Sequence, residues 1–209
     1  MKISVITAGM LAVNIYFLYD ETDMVIVDPG ASISSIRRAI EMIKRRPVAI
    51  LLTHGHFDHI GAANQLKEEL NIPIYAGANE KEILLDPAKN LTAQFGTPLT
   101  IQDFIPVKHD DELEFLNTSW RVIETPGHTI GSVCYHIPQE NMLISGDTLF
   151  QGSYGRIDFP TSNPKMLYDS ITQRLFRLPD ATEVYPGHGN PTTILIEKKT
   201  NPVYYIDLG

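Results

Sequence analysis

A single cysteine, Cys134, stands in 209 residues. No disulfide can form within the chain, which suits a reducing compartment. Basic residues are also scarce: 17 Lys and Arg face 25 Asp and Glu, a formal net charge of −8. That balance argues against broad binding to nucleic acid or to an anionic membrane surface. No apolar run approaches the ~20 residues needed to span a bilayer. The N-terminus comes nearest to a targeting segment, with Lys2 followed by the largely apolar stretch 3–18. Thr7, Gly9 and Asn14 interrupt that stretch, and no small-residue cleavage site follows it cleanly. A cytoplasmic protein is expected. What is present is ordinary for a globular chain, 43% hydrophobic and 20% charged residues, enough to bury a substantial core as one domain over 1–209.

The strand and helix patterns run twice. Ile3, Val5 and Thr7 alternate, and so do Val13, Ile15, Phe17 and Tyr19, predicting a hairpin followed by a third strand at 24–27. Ser32 or Ser34 caps a helix that carries Ile36, Ile40 and Ile43 on one face. Lys44, Arg45 and Arg46 then complement its dipole, and Pro47 stops it. A buried strand at 48–52, a helix at 62–70 and a short strand at 73–76 follow. Residues 79–96 read as two helical pieces, 80–85 and 88–95, which pack on the fold or overhang the site as a lid. Strands are expected at 103–108, 112–115, 120–124, 132–137, 141–144 and 183–185, and a helix at 164–178 with Leu167, Ile171, Leu175 and Leu178 inward. Two sheets packed face to face with helices outside fit this order better than a doubly wound parallel sheet.

The chemistry is concentrated in Thr53-His54-Gly55-His56-Phe57-Asp58-His59, directly after the strand at 48–52. Histidines two apart in an extended segment point the same way, so His54 and His56 can share one metal ion. Asp58 and His59, where the chain turns into the next helix, suit a neighbouring ion. Three further candidates, His128, Asp147 and His188, each stand just past a strand end in a glycine-bearing turn. Loops at strand ends can bring such ligands to one edge of a rigid scaffold. Imidazole with carboxylate suits zinc, iron or manganese. His109, among Asp110 and Asp111, reads as exposed, and His136 as structural.

These motifs resemble those of the metallo-β-lactamase superfamily. Thr-His-Gly-His-Phe-Asp-His matches its His-x-His-x-Asp-His signature, and Pro-Gly-His128-Thr, Ser-Gly-Asp147-Thr and Pro-Gly-His188-Gly match its later motifs in order. Within it, the chain is similar to the short form of glyoxalase II, hydroxyacylglutathione hydrolase. The resemblance implies an αββα sandwich and two divalent ions, zinc foremost, with iron or manganese as the other options. His54, His56 and His128 would hold the first ion and Asp58, His59 and His188 the second, with Asp147 bridging both. It further implies a small thioester or ester substrate attacked by a metal-bridging hydroxide that Asp58 helps to orient. Asp28, in Asp-Pro-Gly, takes a supporting role.

The chain also departs from that family. About twenty residues follow His188, room for one short helix and not for the large helical domain that helps glyoxalase II bind glutathione. The loop after Asp147 keeps a basic residue, Arg156, as a candidate substrate contact, but has Asp158 where an aromatic is usual. Asp158 is instead placed to pair with Arg156. A persulfide dioxygenase with one iron on His54, His128 and Asp147 is the alternative, since that group shares the Gly-Arg-x-Asp-Phe loop. A lactonase shares the histidine motif but not the loop.

Overall fold

The chain is described by a computed structural model over residues 1–208. The first sheet runs β1 (Lys2–Ala8), β2 (Val13–Tyr19), β3 (Asp23–Val27), β4 (Arg46–Leu51), β5 (Ile74–Gly77) and β6 (Ile105–Val107), each beside its predecessor. Helix α1 (Ile33–Ile43) links β3 to β4, and α2 (Phe57–Ile60) and α3 (Ala63–Leu70) link β4 to β5. Two short helices, α4 (Lys81–Leu84) and α5 (Thr92–Phe95), precede β6. The second sheet is built from β7 (Glu112–Phe115), β8 (Thr118–Glu124), β9 (Val133–Ile137) and β10 (Met142–Gly146). A small ribbon of β11 (Leu149–Phe150) and β12 (Ser153–Tyr154) then leads to helix α6 (Pro164–Asp169). β13 (Glu183–Pro186) and β14 (Thr192–Thr193) complete that sheet in the order β14-β13-β10-β9-β8-β7, and α7 (Ile194–Thr200) follows.

Strand alternation accounts for the layering. On β2, Ile15 and Phe17 face one apolar cluster and Tyr16 and Leu18 another; on β3, Met24 and Ile26 part from Val25 and Val27 in the same way. The second sheet repeats this, with Trp120, Val122, Tyr135 and Ile144 in the shared middle layer and Ile123, Cys134 and Leu143 facing away. The middle layer therefore lies between two sheets that are apolar on both faces. Helix α1 covers the outer face of the first sheet through Ile36 and Ala39, and the segment from α6 covers that of the second through Leu167, Ile171 and Leu175. This is the αββα sandwich.

Some local expectations need correction. Helix α1 is capped by Ser32, whose hydroxyl accepts from the Ser35 N–H, but it ends at Ile43, with Lys44 in the left-handed region at φ 57°. The basic run lies beyond the helix and Pro47 is already within β4. Arg46 pairs with Asp23, and Arg45 donates to the Asp20 carbonyl. The helix expected over 164–178 is regular only to Asp169. It widens to a π turn at Ser170–Arg174 and tightens to a 3₁₀ turn at Leu175–Arg177. Two tertiary bonds coincide with this change: Ser170 Oγ donates to the Pro126 carbonyl at 2.7 Å, and Arg174 donates to the Glu124 carbonyl. Both bonds anchor the turn that carries His128. Residues 79–96 do hold two helical pieces, α4 with the 3₁₀ turn Ala78–Glu80 before it and α5, but the second is shorter than the expected 88–95. The Phe57 N–H donates to the Asn90 carbonyl at 2.8 Å, and the Phe57 and Phe95 rings stack 5.0 Å apart. The segment packs beside the site and lends Leu91 to its lining. No helix among the described residues is long and apolar enough to cross a membrane.

Candidate metal centre

Parallel pairing explains why distant ligands meet. β3 and β4 run parallel, as do β10 and β13, and β8 shares the direction of β10 because both are antiparallel to β9. Asp28 follows β3, His54 to His59 follow β4, His128 follows β8, Asp147 follows β10 and His188 follows β13. All seven candidate ligands thus leave from carboxyl ends of strands, and the two sheets present those ends to one cleft.

The ring orientations are set by bonds on the far side of each imidazole. His59 Nδ1 lies 2.9 Å from Asp28 Oδ2, His128 Nδ1 2.8 Å from the Arg156 carbonyl, and His188 Nδ1 3.1 Å from the Leu11 carbonyl. Each acceptor takes the Nδ1 proton, so that Nε2 presents its lone pair to the cleft. Thr53 makes the same arrangement for His54. Its hydroxyl donates to Asp28 at 2.6 Å and accepts from His54 Nδ1 at 3.1 Å. Asp28 also accepts from the Thr53 N–H at 2.8 Å, so one buried carboxylate fixes two rings and a backbone turn. Among the groupings in reach, Asp28 with His54 and His59 lies close enough to hold an ion. Both Asp28 oxygens are already engaged behind the rings, which makes it their support.

The expected sets assemble. Ligand atoms of His54, His56 and His128 lie within 4.8 Å of one another, and so do those of Asp58, His59 and His188. His56 Nδ1 and His128 Nε2 are 2.9 Å apart. Asp147 stands between the trios: Oδ1 is 3.4 Å from His59 Nε2, while Oδ2 is 3.6 Å from His128 Nε2 and 3.5 Å from His188 Nε2. Gly187 makes room for it, since a Cβ there would lie 2.2 Å from Asp147 Oδ1. Gly30 is equally constrained, for its Cβ would fall 1.4 Å from the Asp58 carbonyl oxygen.

Cations fit this donor set. His54 Nε2, His56 Nε2, His59 Nε2 and Asp147 Oδ1 are buried with no hydrogen-bond partner, a cost that proteins rarely leave uncompensated. Burial disfavours a proton on His59, but Asp147, Asp58 and Asp28 outweigh it and push its pKa well up, so the field there favours positive charge. Burial pulls His54, His56 and His128 down, His56 to about 3. Neutral rings are the form that binds metal. For Asp147, the neighbouring His59, His128 and His188 overcome burial and hold its carboxyl far below the usual range. Asp58 is lowered likewise, by His59 and His188 against burial.

The remaining predicted residues fall as follows. Arg156 lines the cleft, with its guanidinium paired to the Asp158 carboxylate at 2.9 and 2.6 Å and lying 4.3 Å over the Phe159 ring. His109 is partly exposed beside Asp110, and His136 is buried within β9. Sequence reasoning missed Glu80. This fully buried carboxylate accepts from the Gly55 N–H at 2.7 Å, and from the Thr129 hydroxyl and Gly131 N–H at 2.9 Å each. It ties the loop of His54 and His56 to the loop of His128. Burial pushes its pKa up to about 7. The Leu11 carbonyl was also missed, because a backbone group carries no sequence signal.

Comparison with known proteins agrees with this geometry. A family model described as the Metallo-beta-lactamase superfamily matches residues 8–188. The probable metallo-hydrolase YqgX of Bacillus subtilis is 39% identical over 207 residues, covering 97% of both chains. Hydroxyacylglutathione hydrolase GloC of Haemophilus influenzae is 35% identical over 208 residues, again covering 97% of both. Among solved structures, the BLEG-1 B3 metallo-beta-lactamase superposes with a TM-score of 0.90 at 36% identity, over 96% of this chain and 98% of that one. TTHA1623 in a di-iron-bound form gives 0.86 at 34% identity, over 95% and 98%. From its sheet order, its ligand-bearing turns and these likenesses, the chain belongs to the metallo-beta-lactamase superfamily.

Proposed function

We propose that this metal-dependent hydrolase is a dinuclear thioesterase of the glyoxalase II kind, acting on hydroxyacyl-glutathione or a related small thioester. The observation that carries the reading is the position of Asp147, within 3.4–3.6 Å of ring nitrogens from both trios. Asp58, His59 and His188 form a complete second set beside it. The overall likeness to GloC supports the thioester assignment.

Two divalent ions, zinc in the first instance, would supply Lewis acidity, making water a nucleophile near neutral pH and polarising a carbonyl. The chain's own residues do the rest. His54, His56 and His128 would hold one ion, Asp58, His59 and His188 the other, and Asp147 would touch both. Asp58 lines the cleft, its Oδ2 3.2 Å from His188 Nε2. That position lets it orient an attacking water and accept its hydrogen bond. Leu11, Phe57, Leu91, Phe150 and Phe159 form apolar walls of a cleft of about 250 Å³. A departing thiolate has a low proton affinity, with a thiol pKa of about 8.5, and leaves without a protein acid. A cytoplasmic setting fits a chain whose one cysteine is buried and unpaired.

The test is thiol release from lactoyl-glutathione by purified protein, before and after chelation and after zinc is restored. Release that is lost with the metal and returns with it is expected. No release from protein holding two ions contradicts the thioester assignment and leaves another ester or an amide. No release with one iron per chain points to the dioxygenase.

A further inference from the structure

The cleft floor is polar, and apart from the Arg156–Asp158 pair its mouth is largely apolar. Leu11 at the β1–β2 turn is 51% exposed and its neighbour Met10 is 73% exposed. On the other side, Phe57 lines the cleft and Phe95, 47% exposed, stacks against it. Exposed apolar side chains at the rim of a cleft mark a surface that an apolar ligand covers. Arg156 is the sole lysine or arginine among the described lining residues. Its Nε and Nη2 are both committed to Asp158, and one face of its guanidinium lies on Phe159. A carboxylate approaching Arg156 therefore meets the Asp158 carboxylate as well, and the pair together carries no net charge.

We infer that the site takes the thiol-bearing half of its substrate by apolar contact and not by its carboxylates, so that acyl thioesters of neutral, aliphatic carrier thiols are substrates at least as good as those of glutathione. The inference rests on the thioesterase reading. In that reaction one water is consumed. Its oxygen bonds to the acyl carbon, the carbon–sulfur bond breaks with its electron pair going to sulfur, and the water protons end on the thiol and in solvent or on the acid product. Asp158 then acts as a specificity determinant by engaging Arg156, the sole lysine or arginine among the described lining residues.

Lactoyl thioesters of glutathione and of N-acetylcysteamine share an acyl group and differ in carrier charge. With the zinc-loaded full chain, kcat/KM for the N-acetylcysteamine ester should equal or exceed that for the glutathione ester. Asp158→Asn, which frees Arg156, should raise the glutathione-to-neutral ratio by roughly threefold to fivefold, the size of one exposed charge pair. A preference for the glutathione ester of about tenfold or more, or a ratio that Asp158→Asn leaves unmoved, overturns the inference. Failure to cleave either ester overturns the thioesterase reading itself. That failure is distinct, because in the former cases at least one ester is turned over.

Discussion

Replacing Glu80 with Gln separates the charge of this buried side chain from its shape. In the wild type the carboxyl is pushed up to about 7 by burial, against a usual 4.5. The folded state therefore binds its proton more tightly than the unfolded chain does. Its contribution to stability is fully present below pH 4.5 and is lost as the pH rises through 7. From pH 5 to pH 8 the loss amounts to about 2–3 kcal/mol. Glutamine has no such titration. Its amide carries a separate, pH-independent offset: with the carbonyl toward Thr129 and Gly131, the NH₂ faces the Gly55 N–H, donor against donor. One buried N–H left unpaired costs about 1–3 kcal/mol. Urea denaturation of zinc-saturated wild type and Glu80→Gln at pH 5, 6, 7 and 8 should show the variant gaining on the wild type by about 2–3 kcal/mol across the series. A difference that stays constant would refute the reasoning. A variant that falls further behind as pH rises would mean that the three donors hold the carboxyl ionised and outweigh its burial.

Other consequences follow from the same contacts. Asp28→Asn removes the acceptor behind His59 and weakens the hold on Thr53, and should lower affinity for the second ion about 10–100-fold, read by calorimetric zinc titration. Unchanged affinity would make Asp28 a structural turn alone. Gly30→Ala drives a Cβ into the Asp58 carbonyl and should destabilise the chain by about 3 kcal/mol or more, measured by thermal or urea melting; a neutral result would contradict this close approach. Asp147→Ala should abolish metal-dependent turnover in the thiol-release assay while the far-ultraviolet circular dichroism is kept, and retained full activity would defeat its place between the ions.

How much of this was legible in the sequence depended on how local each cause is. The His54–His59 cluster is contiguous, and His128, Asp147 and His188 each follow a β-patterned run and a glycine, so strand-end chemistry announced them. The layering was legible for a similar reason, because alternation such as Tyr16 and Leu18 against Ile15 and Phe17 is a property of neighbouring residues. Asp158 was expected to pair with Arg156, two positions away, and does. What stayed hidden acts over distance. Glu80 draws its role from Gly55 and Gly131, 25 and 51 residues away, and lies in a segment without periodicity. The π turn at Ser170–Arg174 coincides with bonds from Ser170 and Arg174 to carbonyls of another element, which no helical pattern reveals. Lys44 to Arg46 looked like a helix end because charge was read without the left-handed turn that directs Arg46 onto β4.

The central claim is that two ions act together around Asp147. It is tested most directly by adding zinc to the metal-free protein in measured equivalents while following thiol release from lactoyl-glutathione. The account predicts that activity rises to its maximum only as a second equivalent binds, with two ions per chain at saturation. Full activity at one equivalent would contradict it.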